Sequence, residues 1–320
     1  MSNLELGLNA VILAVTDEDP RIITVRAPHG AGRPALPYGP LDTASHKTLE
    51  RAVRGWVREQ AGLELGYVEQ LYTFGDRLRS GDARVRGVAV AYLALVRESP
   101  LSGHWEAQWE PCYSFFPWED WRAGGCQPSL VAERIVPELL AWVGRADMPS
   151  ERARRRERVE IAFGLGDAGW NVNRVLERYE LLYEADLVAE ADHDRHTPQT
   201  PPPRPHHPTI DGQAMVLDHR RMLASALARL RGKLTYRPLV FELMPDTFTL
   251  LQLQRVVEAL SGVRLHKQNF RRLVDKNGLV EGTGLLDTQT GGRPAELFRF
   301  RREVLRERPA PGVGLPGSSR

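Results

Sequence analysis

The stretch DHDRHTPQTPPPRPHHP, residues 192–208, constrains this chain more than any other. Five prolines crowd between Pro198 and Pro205. Each fixes φ and lacks an N–H, so the segment can join neither a helix interior nor a central strand, and it reads as a stiff, extended linker. A chain of 320 residues interrupted in this way should build at least two folded parts. His196, His206 and His207 raise the question of a metal, but they sit in exposed Pro-rich sequence, and no metal site is expected there.

The charge follows the same division. Residues 209–308 hold 18 Lys and Arg against 11 Asp and Glu, which leaves the rest of the chain net acidic. A basic part on an acidic body is the footprint of a nucleic-acid binder. Cys112 and Cys126 have neither metal-ligand spacing nor a disulfide framework, which fits a reducing compartment. The opening run MSNLELGLNAVILAV has no basic flank and is too short for a membrane span. The expectation is a cytoplasmic protein with no membrane contact.

Residues 1–150 alternate strand-like and helix-like stretches. Short β-branched runs at 10–15 and 22–25 flank an acidic turn at 17–20, VRGVAVAYLALV predicts a strand over 85–96, and 130–143 has helical periodicity. Between 103 and 125 stand Trp105, Trp109, Trp118, Trp121, Tyr113, Phe115 and Phe116. These pack a loop against the sheet, or one of them stacks on a planar ligand. Residues 151–208 read as a helical insert and linker. ERARRRERVE is a solvated basic helix face, and WNVNRVLERYELLYEADLV is an amphipathic helix with Asn171 or Asn173 as its cap.

Beyond the linker, residues 209–308 spell three helices and a hairpin. The helices fit 218–233, 249–260 (capped by Thr249, stopped by Gly262) and 266–276 (stopped by Asn277-Gly278). Two strands then flank a Gly-rich turn, which makes a winged helix-turn-helix. The third helix carries Lys267, Gln268, Asn269, Arg271 and Arg272, the residue types that reach phosphates and purine edges in a major groove. Phe270, Leu273 and Val274 should anchor it. Lys233, Thr235 and Arg293, the last at the wing tip, are expected at flanking phosphates or in the minor groove. The bland alternative is a cationic surface helix. Residues 309–320 are expected to be a disordered tail.

ALPYGPL at 35–41 and KTLERAVRGWVREQAGL at 47–63 resemble the Nudix box, a loop–helix–loop that normally holds Mg2+ with glutamates on one helix face. Aligned on Gly62-Leu63, Lys47 takes the first Glu slot, Gly55-Trp56 the Arg-Glu slots and Glu59-Gln60 the Glu-Glu slots. A hard divalent cation needs several oxygen ligands, and one box carboxylate is too few. The loop after Gly39 is also two residues longer than the pattern. With LDHRRMLASALARLRGKLTYRPLVFELMP, FTLLQLQRVVEALSG, HKQNFRR and GGRPAELFRF in the C-terminal part, and YTFGDRLR with VRGVAVAYLALV in the other, the chain resembles the Nudix-related transcriptional regulators of NAD metabolism. The resemblance covers about 8–122 and 213–302; residues 123–208 are a departure from it. It implies an α+β protein: a Nudix α/β/α sandwich, the helical insert, then the winged helix. It also implies a repressor of NAD-biosynthesis genes that binds a double-stranded DNA operator as a homodimer, senses ADP-ribose or a related nucleotide, and needs no cofactor or catalytic residue. The effector pocket would be lined by Arg26 at a phosphate, Leu36, Tyr38, Gly39, Glu59, Phe74 and Arg77, with Tyr38 or Phe74 stacking on a base. An active Nudix pyrophosphatase with an appended nucleic-acid module is the alternative, and a protein-binding adaptor is a third reading.

Overall fold

The computed structural model describes residues 3–26, 32–42, 44–75, 85–122, 129–191, 211–288, 294–307 and 312–313. The proline-crowded linker, Cys126, Arg77 and Arg293 lie outside the described residues.

The N-terminal part is built on a seven-stranded sheet: β1 (Asn3–Thr16), β2 (Asp19–Arg26), β3 (Pro34–Ala35), β4 (Tyr38–Pro40), β5 (Tyr67–Phe74), β6 (Val85–Leu95) and β7 (Ala107–Pro111). The strand order is β3-β2-β1-β6-β5, with β4 pairing β1 and β7 pairing β2. β1 and β6 run parallel, from Asn3 opposite Val85 to Leu13 opposite Leu95. β1 is longer than its apolar run predicts, because the polar and small residues before it pair with β4 and β6.

Side chains of a strand alternate between faces, so this sheet has two different coverings. Leu8, Ala10 and Ile12 of β1 and Val90, Tyr92 and Ala94 of β6 pack on α1 (Leu49–Ala61) through Ala52, Val53, Val57 and Ala61. α1 is capped by Thr48, whose side chain accepts from the Arg51 N–H, and ends on Gly62 at φ 73°. The odd-numbered residues Val11, Leu13, Ala89, Ala91 and Leu93 face the other way. They share one core with the helices of the insert and of the C-terminal part.

The insert supplies a π turn at Val131–Ile135, then α2 (Val136–Gly144), α3 (Pro149–Phe163) and α4 (Val175–Glu184). Four of the five arginines of α3 are matched by acids, Arg154 and Arg155 by Glu151, Arg156 by Glu160, and Arg158 by Glu184 on α4, while Arg152 donates to Ala146 O. Asn171 does not cap α4; it accepts from the Asn173 N–H in a preceding turn, and the helix starts at Val175. Of the aromatics, Phe115 and Phe116 between two short 3-10 turns, and Trp118 in the second, are fully buried, while Trp105 stays half-buried, edge-on to Tyr38.

The C-terminal part begins with α5 (His219–Leu234), followed by α6 (Leu250–Ser261), α7 (Lys267–Asn277) and the hairpin β8 (Val280–Asp287) and β9 (Ala295–Phe300). Thr249 and Gln252 form a reciprocal capping box at the start of α6. α5 packs on α4, on α6 and on β1, β5 and β6. It therefore serves both as first helix of the winged helix and as third layer of the α/β/α sandwich. The expectation of a disordered tail from 309 needs correcting at Gly312 and Val313. Val313 is buried in the hydrophobic core and its N–H donates to Leu234 O, and Gly312 O accepts from Asn277.

Candidate effector and DNA-binding sites

α7 is two-faced. Phe270 and Val274 are buried and Leu273 is half-buried, so the helix is anchored along one stripe. Lys267, Gln268, Asn269, Arg271 and Arg272 are all exposed, as are Asp275 and Lys276. Among the described residues, a loose contact of Arg272 to Asn269, 3.5 Å, is the one side-chain bond in this row. The row is free to meet a groove. Two expected flanking contacts are placed differently. The Lys233 ammonium is 2.5 Å from the Glu69 carboxylate on β5, and the Thr235 hydroxyl donates to Gly232 O within its own helix end. Lys233 is engaged because α5 lies on the sheet, which sequence did not reveal.

The Nudix-like loop and helix meet closely. Gln60 is fully buried and pairs with the backbone of Tyr38 in both directions: Tyr38 N–H donates to Oε1 at 3.1 Å, and Nε2 donates to Tyr38 O at 2.6 Å. The Trp56 indole N–H donates to Pro40 O at 3.1 Å, and its ring lies so close over Gly39 that a Cβ there would overlap it. Lys47 and Glu59 are exposed, and the Glu59 carbonyl holds the loop at His104 through the His104 N–H. Glu50 pairs with Arg54 at 2.9 Å, and Asp42 accepts from Ser45 and Ala44.

Of the seven expected effector residues, Tyr38, Gly39 and Glu59 fall together around the end of α1. Arg26 lies at a separate cleft of about 340 Å3 at the end of β2, lined also by residues of β3 and β7, beside Arg33, and pairs with Glu106 at 3.0 Å. Leu36 and Phe74 need correction. Both are buried in the core on the α5 side of the sheet, with Arg221 over the Phe74 ring, so neither can stack on a ligand beside α1.

The buried polar groups were not legible as a set. Glu119 accepts from Arg178 Nε and Nη2 at 2.5 and 2.9 Å and from Arg231 Nη1 at 2.6 Å, all three side chains being fully buried. Arg231 also donates to Leu260 O and Val172 O, each at 2.9 Å. Burial pushes the Glu119 carboxyl up, and the two guanidiniums overcome this and hold it below the usual carboxylate range. At the other end of α5, the Leu36 N–H donates to His219 Nδ1 at 3.0 Å. Asn9 Nδ2 lies 3.0 Å from the other ring nitrogen, Nε2. Burial pushes the Cys112 thiol up to about 12, so it is no nucleophile at neutral pH. Among the described residues, no three His, Cys, Asp or Glu are grouped to hold a metal, and no helix is long and apolar enough to cross a membrane.

This geometry defines a class: a Nudix-type α/β/α domain fused to a winged helix. Comparison with known proteins then makes the winged helix specific, since residues 240–300 match the NrtR DNA-binding winged helix domain. The fold of the whole chain is that of Shewanella oneidensis NrtR, solved with a 27mer DNA, at a TM-score of 0.53 and 20% identity over 94% of this chain and 95% of that one. A MutT/nudix family protein from Enterococcus faecalis shares it, at a TM-score of 0.53 and 16% identity over 94% and 88% of the two chains. The ADPR responsive transcriptional repressor NtrR of Acinetobacter baylyi is 42% identical over 86 residues, which span 27% of this chain and 34% of that repressor.

Proposed function

We propose that this chain is a DNA-binding transcriptional repressor whose Nudix-type domain senses an ADP-ribose-type nucleotide without hydrolysing it, and that NAD-biosynthesis genes are its targets. The observation that carries the reading is the exposed row of Lys267, Gln268, Asn269, Arg271 and Arg272 on a helix anchored by Phe270 and Val274. The residue types suit direct readout of a major groove. A homodimer would place two such helices on a palindrome, with half-sites about 34 Å apart. Similarity to an ADPR responsive repressor supports the choice of effector.

The residues in the box slots support the absence of hydrolysis. Gln60 is committed to the Tyr38 backbone, the Trp56 ring fills the space over Gly39, and Lys47 brings a positive charge. Glu59 remains as the one box carboxylate. These residues do not fit a Mg2+ site, which needs several oxygen ligands around the ion. The deciding experiment measures binding of the purified chain to its own upstream DNA, with and without ADP-ribose, alongside turnover of ADP-ribose with Mg2+. Specific DNA binding that ADP-ribose alters, with no turnover, is expected. Rapid metal-dependent turnover without specific DNA binding would establish the pyrophosphatase instead.

A further inference from the structure

The β1–β2 connection is a two-residue turn, Asp17-Glu18, closed by the pairing of Thr16 with Asp19. Both turn residues have positive φ, 50° and 64°. Tight hairpin turns of this kind favour Asn or Asp followed by Gly, because only small or Gly residues take that conformation cheaply. A Glu at the second position is a poor choice for the hairpin itself. The Glu18 side chain points elsewhere: its carboxylate lies 3.3 Å from Arg255 Nε on α6 and 3.5 Å from Arg264 Nη1 in the turn between α6 and α7. The same two arginines pair with Glu258 at 3.1 and 2.8 Å, and Glu258 accepts the Leu265 N–H at 3.0 Å. Leu265 is two residues before Lys267, where α7 begins. Arg122 ties the turn down from the sheet side, donating to Glu18 O and to Asp19 Oδ1, the latter at 3.0 Å.

We propose that Glu18 is a positioning residue for DNA reading: it acts through Arg255 and Arg264 to hold the turn that sets the start of the recognition helix, and so carries the state of the nucleotide-sensing sheet to that helix. The inference rests on the regulator reading. β2 carries the turn at one end and Arg26 at the other, so a ligand that shifts β2 moves Glu18 as well. The clasp is partly exposed, with Glu18 at 47% and Arg264 at 48%, so it can open without disturbing the buried core.

The test uses the full chain with Glu18→Gln, Glu18→Gly and Asp17→Gly. Glu18→Gly removes the carboxylate while relieving the turn, and Asp17→Gly relieves the turn and keeps the carboxylate. Two quantities are read: the change in DNA affinity on adding ADP-ribose, and hydrogen exchange at the Leu265 amide. Wild type should show an effector shift in DNA affinity of about 5- to 150-fold, the usual size of such coupling. Both Glu18 variants should lower that ratio by about two- to fivefold and speed exchange at Leu265 by a similar factor, the worth of an exposed charge pair. Asp17→Gly should match wild type in both. Glu18→Gly and Glu18→Gln with wild-type exchange and wild-type coupling would overturn the proposal. Absence of any effector response in the wild type would overturn the regulator reading instead, and exchange at Leu265 would still judge the clasp.

Discussion

Replacing Gln60 by Glu puts back the residue type that a metal-binding Nudix helix carries at this slot, and the structure says that it should do harm rather than restore chemistry. The side chain is fully buried and is both donor and acceptor to the Tyr38 backbone. A carboxylate can accept the Tyr38 N–H but sets an oxygen against Tyr38 O, 2.6 Å from the present donor. The variant can repair that contact only by taking up a proton. Burial should lift the new carboxyl about two to three pH units above its free value near 4.3, and at about 1.4 kcal/mol per unit this amounts to about 3–4 kcal/mol. The sign follows from linkage. Below the unfolded pKa the group is protonated in both states and no penalty exists; the penalty grows as pH rises towards the folded pKa and is complete above it. Urea unfolding followed by tryptophan fluorescence should therefore show near-parity with wild type at about pH 4 and a loss of about 3–4 kcal/mol at about pH 8. Parity at the higher pH, or recovery there on adding Mg2+, would refute the view that position 60 is a structural pin.

Arg271→Ala should cost about 1–3 kcal/mol of DNA binding and relax specificity at one base pair if Arg271 reads a guanine, as competition gel-shifts with single-base operator variants would record. An even loss across all sequences with a salt slope smaller by about one would place it on phosphate instead. Glu119→Gln leaves Arg178 and Arg231 buried without their counter-charge and should cost about 3–5 kcal/mol in chemical denaturation. In the wild type, the Glu119 contribution should fade only as pH falls below the ordinary carboxylate range, since its carboxyl is held low.

Local signals in the sequence reached far in the C-terminal part. Thr249 and Gln252 announce the start of α6, and Gly262 and Gly278, at φ 73° and 56°, announce the stops of α6 and α7. The burial of Phe270 and Val274 against exposed Lys267 and Arg271 follows from helical spacing alone. What spacing cannot say is which surface an apolar stripe meets. α5 reads as a helix with a buried face, but its second neighbour, the sheet, is settled by the parity of β1 and β6. The same parity decides that Leu36 and Phe74 face α5 and not α1, and that Lys233 meets Glu69 instead of DNA. Glu119, Arg178 and Arg231 each look like surface charges, because their partners lie 59 and 112 positions away.

The proline-rich segment 192–208 reads as a stiff linker between the two folded parts, yet the described contacts join those parts through α5. One end of α5 meets the Leu36 turn through His219, and that turn continues into Tyr38, which Gln60 pins to α1. The other end holds the close of α6 through Arg231 and Leu260 O, while Tyr113 of the N-terminal part donates to Ala259 O at 2.6 Å. A helix of 16 residues is a rod of about 24 Å, and hydrogen-bonded contacts fix it at both ends. Coupling along such a rod depends on how its ends are seated and not on the stiffness of the chain that leads into it. Exchanging the five prolines from Pro198 to Pro205 for Gly and Ser at constant length should therefore leave both DNA affinity and its response to ADP-ribose within about twofold of wild type, since the contacts that seat α5 come from other residues. A loss of the response with intact DNA binding would place the signal in the linker and take it away from α5.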